Sequence, residues 1–315
     1  MKMILVLTHL EEDEQLERVI ALVKEKGGHV LTLCTNTRNH LNFALQMEGS
    51  RVGIMYDGNF FIPNAIWYAT HPRTDALYCL DFRFPGEHRS AMSQFITDLH
   101  YAYRTDISWF PGDLNLIGQA DSKPFLLKEA TLCGLVTPAT TLNATLVAKQ
   151  KATAEKLYKK KLGFPSVITF DKKSRIELVT TTENKLGDSN ARKEIWQWQT
   201  PIESVSHVRC CIVGEKIWAV VWHRKSTISK LYDYRSQEKE EFWQHYCLPV
   251  DVEINLSRLM RHLKLQIACP EFLIKKDGQH VFIDMNPCGD WMGFFKESIN
   301  AEIAESIATL LLGPV

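Results

Sequence analysis

Apolar positions along the chain fall into two periods, one of strands and one of helices. The run MILVL is apolar throughout and predicts a strand buried on both faces. EEDEQLERVIALVKEKGG then puts Leu16, Val19, Ile20 and Val23 on one helical face, with acids in the first turn, lysines in the last and Gly27-Gly28 as the stop. HVLTLC follows as a second strand, and this β-α-β opening predicts a parallel sheet. The Asp-Gly hairpin IMYDGNFFIP leads to AIWYA (Ala65 to Ala69), expected to close that sheet, and a helix is expected near Ser90 to Arg104, before SWFPGDLN.

DSKPFLLKEATLCGLVTPATTL predicts a helix with Asp121 as N-cap, a proline in its first turn, Leu127, Ala130 and Leu132 for packing, and Gly134 as its stop. Residues 143 to 190 carry little regular apolar pattern and are rich in lysine and threonine, the composition of a mobile, solvated lid. From IWQWQTPIES onward long strands dominate. HVRCCIVGEKIWAVVWH reads as a hairpin around Gly214-Glu215, DVEINLSRLMRHLKL as an amphipathic helix, and EIAESIATLLL as a closing helix.

Between those two helices, EFLIKKDGQHVFIDMNPCGDW carries the first candidate chemistry. Asp277-Gly278 predicts a two-residue type I′ turn, which pairs 276 with 279 and sets Glu271 directly opposite Asp284. Asp284 and Asn286, two apart on a strand, share a face. The expected result is one cluster of oxygen ligands, Glu271, Asp284 and Asn286, with no lysine or arginine interleaved on that face. Facing carboxylates repel unless a cation lies between them, and hard oxygen donors suit Mg²⁺. The same pattern also fits a solvated polar face of an edge hairpin.

A length of 315 residues suggests about two domains. Lysine plus arginine equals aspartate plus glutamate, 37 against 37, so net charge argues for neither a nucleic-acid nor a membrane partner. No segment reaches the roughly 18 apolar residues of a membrane span. The 8 cysteines have no metal-finger or CxxC spacing and read as reduced, mostly buried thiols of a cytoplasmic protein. Neither GxGxxG after the first strand nor GxxxxGK[ST] anywhere is present, so both glycine-rich phosphate loops are absent.

The ordered series of motifs resembles the ATP-grasp ligases, and among them the graspetide synthetases, the microviridin-type macrocyclases of ribosomal peptides. Glu271, Asp284, Asn286, Pro287, Gly289 and Trp291 match that family's closing Asp-Leu-Ile, turn, Phe-Leu-Glu-Val-Asn-Pro-x-Gly-x-Trp unit, with Asp and Glu exchanged at both acidic positions. AIWYATHP, the lysine-bearing helix before GLVTPATT, WQTPIESVSHVRCCIVGEKIWA, KLYDYR and HYCLPVDV resemble further family motifs in the family's order, so the likeness spans nearly the whole chain. One departure stands out. Where ATP-grasp enzymes usually place a second lysine at the end of a lid strand, FPSVITFDKKS has Thr169, with Lys172 and Lys173 in the following turn.

The resemblance implies an α/β (α+β ATP-grasp) fold: an N-terminal parallel α/β pre-ATP-grasp domain over 1–112, a central and lid domain over 113–200, and a C-terminal antiparallel-sheet ATP-grasp domain over 201–315. It implies ATP and Mg²⁺ as cofactors, with Mg²⁺ on Glu271, Asp284 and Asn286. Lys123 and either Lys172 or Lys173, in place of Thr169, would reach the phosphates. Adenine would lie against Trp198, Gln199, Thr200 and Pro201, and Glu203 would bind ribose. Arg209 would meet the γ-phosphate or the acyl oxygen, and Arg235 a phosphate or a substrate carboxylate. The implied partner is a ribosomal precursor peptide with leader and core, and a homodimer is left open. Three functions follow in order: side-chain ester or amide crosslinking of that peptide through an acylphosphate, addition of an amino acid to a peptide or small acid, or nucleotide binding without turnover.

Overall fold

The computed structural model describes residues 2–8, 13–34, 43–49, 51–69, 86–143, 157–161, 181–184, 196–199, 202–223 and 243–313. The N-terminal elements are β1 (Met3–Thr8), α1 (Glu14–Glu25), β2 (His29–Cys34), β3 (Phe43–Glu48), β4 (Arg51–Tyr56), β5 (Asn59–Phe61), β6 (Ala65–Tyr68), α2 (Gly86–Tyr103) and β7 (Ser108–Phe110). β1 lies between β2 and β6, parallel to both, and β7 pairs parallel with β6, giving the order β2-β1-β6-β7. The expected closing strand is therefore interior. The edge is β7, whose three residues are too few to show a period.

Local signals explain this half well. Asp13 caps α1 by accepting the Leu16 amide at 3.2 Å, and Leu16, Val19 and Val23 are buried as the helical period requires. β1 is apolar on both faces because both are covered: Ile4 and Val6 pack with α1, while Leu5 and Leu7 face Ile66, Leu99 and Trp109. β3, β4 and β5 form a separate antiparallel sheet.

The chain continues as α3 (Leu114–Ala120), α4 (Lys123–Leu132), β8 (Thr140–Asn143), β9 (Leu157–Lys161), β10 (Thr181–Asn184) and β11 (Trp196–Gln199). The last four form an antiparallel sheet in the order β10-β9-β11-β8, so the stretch expected to be a lid contributes strands where it is described. β12 (Ser204–Val213), β13 (Lys216–His223), β14 (Gln244–His245), α5 (Val250–His262), β15 (Ile267–Lys275), β16 (His280–Asn286) and α6 (Glu297–Leu312) complete it. Their antiparallel sheet runs β14-β13-β12-β15-β16. The expected Gly214-Glu215 hairpin is present, pairing Val213 with Lys216, and Gly214 takes φ of +60° at the first turn position.

This sheet is buried on both faces, and strand alternation decides which residue goes where. Val208, Cys210 and Ile212 meet α4 and α5, whereas Cys211 and Val213 meet α6. α6 in turn packs on Ile4, Val6 and α1 through Ile303, Ala304, Ile307 and Leu311, joining the two sheets into one core. Arg18 to Glu297 at 2.5 Å and Lys26 to Glu305 at 2.5 Å bracket the α1–α6 contact. Among the described residues no helix is long and apolar enough to cross a membrane. Cys34, Cys133, Cys210, Cys211, Cys269 and Cys288 are buried and Cys247 is exposed, while Cys79 lies outside the described residues.

Two glycines give opposite expectations for alanine. A Cβ on Gly112 would lie 2.9 Å from the Lys264 carbonyl oxygen and 3.0 Å from a Leu265 methyl, whereas one on Gly118, inside α3, would meet nothing within 4 Å. Gly112→Ala should cost about 1–3 kcal/mol through overpacking. Gly118→Ala should gain about 0.5–1 kcal/mol from helix propensity. Urea denaturation midpoints moving in opposite directions are the expected result.

Candidate active site

The β15–β16 hairpin sets Glu271 opposite Asp284, but by a route other than the expected turn. Gly278 has φ of +83° and Asp277 is not among the positive-φ residues, so the turn is not type I′. The Asp277 carboxylate instead accepts the Gln279 amide at 3.0 Å, a local bond that favours a three-residue loop closed by Lys275 N–H to Gln279 O at 3.0 Å. Ile274 then pairs with His280, one step off the expected register. A bulge next to Glu271 inserts one extra residue into β16 and restores it. Asp57-Gly58, with φ of 47° and 77°, does form the two-residue turn, pairing Tyr56 with Asn59.

The expectation that no cationic side chain shares this face is corrected by the neighbouring elements. β12 pairs with β15 so that Arg209 is opposite Glu271, and Arg209 Nη2 lies 3.2 Å from Glu271 Oε1. His207 Nε2 lies 3.1 Å from the other carboxylate oxygen. On the hairpin's other strand, Asp284 is ion-paired with Lys123 and accepts the Met285 amide at 2.8 Å. Asn286 closes the following turn, its Oδ1 accepting from Cys288 N–H at 3.0 Å and its Nδ2 donating to Gly289 O at 3.4 Å. Cations thus offset both facing charges before any ligand arrives.

Lys123 owes its position to two helices where the sequence predicted one. Asp121 ends α3, and Ser122 is the N-cap residue of α4, so the expectation of Asp121 as cap is corrected. Lys123 opens α4 with its Nζ buried and its side chain 21% exposed, which rules out a plain surface lysine. The far end of α4 is fixed to α5: His262 Nε2 lies 2.7 Å from Glu129 Oε2, Asn255 donates to Gly134 O at 3.1 Å and Arg258 to Cys133 O at 3.2 Å. Gly134, at φ of +94°, ends the helix as expected. Leu132, expected to pack, is 68% exposed. Beyond the stop, Phe282 N–H donates to Val136 O at 2.8 Å, tying the segment to β16.

Of the segment expected to receive adenine, Trp198 and Gln199 lie on a strand. In β11, Trp198 pairs with Thr141 and Lys159, and buried Gln199 donates to Thr140 Oγ1 at 3.0 Å. β11 belongs to the β8–β11 sheet and β12 to the β12–β16 sheet, so residues 200–203 link the two, with Glu203 exposed. Thr169, Lys172, Lys173, Thr200, Pro201 and Arg235 lie outside the described residues. Among the described residues no three of His, Cys, Asp and Glu converge as a metal site. Glu271, Asp284 and the Asn286 amide oxygen remain an all-oxygen donor set, which fits Mg²⁺ that keeps water and phosphate ligands. His207 escaped the sequence reading, although its two-residue spacing from Arg209 puts it on the same strand face.

No family model and no curated protein matches the chain. Solved structures do. The macrocyclase MdnC of Microcystis aeruginosa, bound with precursor peptide MdnA, superposes with a TM-score of 0.77 at 20% identity, covering 99% of this chain and 100% of that one. A RiPP-associated ATP-grasp ligase of Chryseobacterium gregarium, in complex with ADP and a leader and core peptide, gives 0.75 at 17% identity, with 99% and 97% covered. D-alanyl-alanine synthetase A of Vibrio cholerae gives 0.64 at 10% identity, with 99% and 98% covered. The chain has the ATP-grasp fold. Its parallel β2-β1-β6-β7 sheet and antiparallel β8–β11 and β12–β16 sheets are consistent with that fold.

The Lys123–Asp284 pair reverses an energetic expectation for this hairpin. With bare facing carboxylates, removing Asp284 would relieve repulsion. With Lys123 paired to it and largely buried, Asp284→Ala should instead lower the unfolding free energy by about 1 kcal/mol, the small size reflecting the 43% exposure of Asp284. Urea melts of the ligand-free protein check the sign.

Proposed function

We propose that the chain is an ATP-dependent ligase that joins side-chain carboxylates of a ribosomal precursor peptide to hydroxyls or amines as esters or amides. What carries the reading is the cluster in which Glu271 and Asp284 face each other with Arg209 and Lys123 against them. Residues 1–112 form the preceding domain, 113–200 the central and lid domain, and 201–315 the ATP-grasp domain of this reading. Glu271, Asp284 and Asn286 would hold Mg²⁺, which would supply positive charge against the phosphates. Lys123, with Lys172 or Lys173 standing in at the Thr169 position, holds the phosphates. The segment Trp198 to Pro201 receives adenine through Trp198, Gln199, Thr200 and Pro201, and Glu203 the ribose.

The reaction needs no side-chain nucleophile. A peptide carboxylate attacks the γ-phosphorus and ADP leaves; a peptide hydroxyl or amine then attacks the acylphosphate carbon, and phosphate leaves with loss of the nucleophile's proton. Arg209 meets the transferring phosphoryl or the acyl oxygen, and Arg235 a peptide carboxylate, so catalysis rests on positioning and charge. The buried thiols suit a reducing, cytoplasmic setting, and burial pushes the Cys210 and Cys211 thiols well up, out of reach of nucleophilic use.

Incubating the protein with ATP, Mg²⁺ and synthetic peptides carrying Glu or Asp with Ser, Thr or Lys, with and without an N-terminal leader-length extension, tests this. Mass spectrometry should find one water lost per bond, matched by one ADP released. Asp284→Asn should abolish both. A product heavier by an added amino acid would favour the amino-acid-adding ligase, and absence of ADP release across the panel would contradict turnover.

A further inference from the structure

The proposed function leaves unexplained a chain of aromatic rings wrapped around Arg209. The Arg209 guanidinium carbon lies 3.7 Å from the centroid of the Phe294 ring, a close cation–π stack. Phe294 meets Trp243 edge to face at 5.4 Å and 86°, and Trp243 meets His207 at 5.7 Å and 69°. His207 and Arg209 hold the two oxygens of Glu271, so the carboxylate and the four side chains form one closed cycle of contacts.

The stack is built on fixed elements. Phe294 follows Gly293, whose φ of +92° only glycine adopts without strain, and its amide donates to Trp291 O at 3.4 Å. Gln15 of α1 accepts the Trp291 and Met292 amides at 2.7 and 3.2 Å, and Trp291 and Phe295 on either side are buried in the core with α6. The loop that carries the ring is therefore anchored to the N-terminal layer through Gln15.

We propose that Phe294, braced by Trp243, is a positioning residue that fixes the plane of the Arg209 guanidinium. A guanidinium presents its N–H donors in one plane, and stacking covers its face while leaving that plane for oxygens. The ring thereby sets the plane in which the guanidinium donors point. The inference rests on the reading above that Arg209 meets the γ-phosphoryl group, and it assigns the geometry of that contact to a residue that touches no phosphate.

The test is calorimetric titration of Mg·ADP and Mg·AMPPNP, which differ by the γ-phosphoryl group. Phe294→Leu should lower the ratio of AMPPNP to ADP affinity about tenfold, the scale of a desolvated cation–π contact, while ADP affinity changes less than about twofold. Phe294→Tyr, which keeps the ring face, should retain the wild-type ratio. On an Arg209→Lys background Phe294→Leu should have no further effect on it. Trp243→Leu should give a smaller loss of the same ratio, and it decides the matter if thermal melts find Phe294→Leu unfolded. An unchanged ratio in Phe294→Leu or Trp243→Leu, a parallel fall for both nucleotides, or the same tenfold loss on the Arg209→Lys background would overturn the proposal. If the wild-type protein binds neither nucleotide, the nucleotide reading itself falls, and this inference with it.

Discussion

Two carboxylates directly across a hairpin from each other repel, and the arrangement around Glu271 and Asp284 follows from that repulsion. Each charge is offset by a cation brought from a different element. Strand order places β12, and with it Arg209 and His207, beside Glu271, while the start of α4 delivers Lys123 to Asp284. Burial makes these pairings consequential, because Arg209 and Glu271 have side chains only 6% and 12% exposed, and a buried charge left unpaired is costly. On the proposed reading, a site that already balances its own charge would admit a metal and polyphosphate by exchange, its carboxylates passing to the metal and its cations to phosphate oxygens.

Such an exchange requires cations that are placed but not locked, and the fold supplies both conditions. α4 is fastened at its C-terminal end by Glu129–His262 and by the two α5 side chains on the Cys133 and Gly134 carbonyls, leaving Lys123 at the opposite end as its working tip. Arg209 is held more tightly, from below by Glu271 and across its face by Phe294. Lys123 pairs with an acid that is 43% exposed and Arg209 with one that is 12% exposed, so the lysine is the easier of the two to release.

Local chemistry was legible in the sequence, and long-range pairing was not. The apolar face of α1, the Gly134 stop and the Gly214 hairpin were readable because each is decided within a few residues. β7 and α3 were not, being too short to display a period. The Glu271–Asp284 pair was read correctly for an incomplete reason: the three-residue turn shifts the register by one and the bulge shifts it back. Leu132 was expected to pack but faces outward, because two residues past Ala130 it lies about 200° round α4 from it, opposite the face on which Leu126, Leu127 and Ala130 meet α5. The partners of Glu129, Asp284 and Arg209 come from elements between 62 and 161 residues away or from undistinguished aromatic positions, as Glu129–His262, Lys123–Asp284 and Arg209–Glu271 illustrate.

The central claim is that the hairpin is a metal cradle whose charges are held by Lys123 and Arg209 until nucleotide arrives. A crystal structure with Mn²⁺ and ADP, using the manganese anomalous signal, addresses it most directly. The account predicts an anomalous peak within coordination distance of Glu271 and Asp284, with Lys123 turned from Asp284 to the phosphates. A peak elsewhere, or nucleotide bound with Lys123 still paired to Asp284, would contradict it.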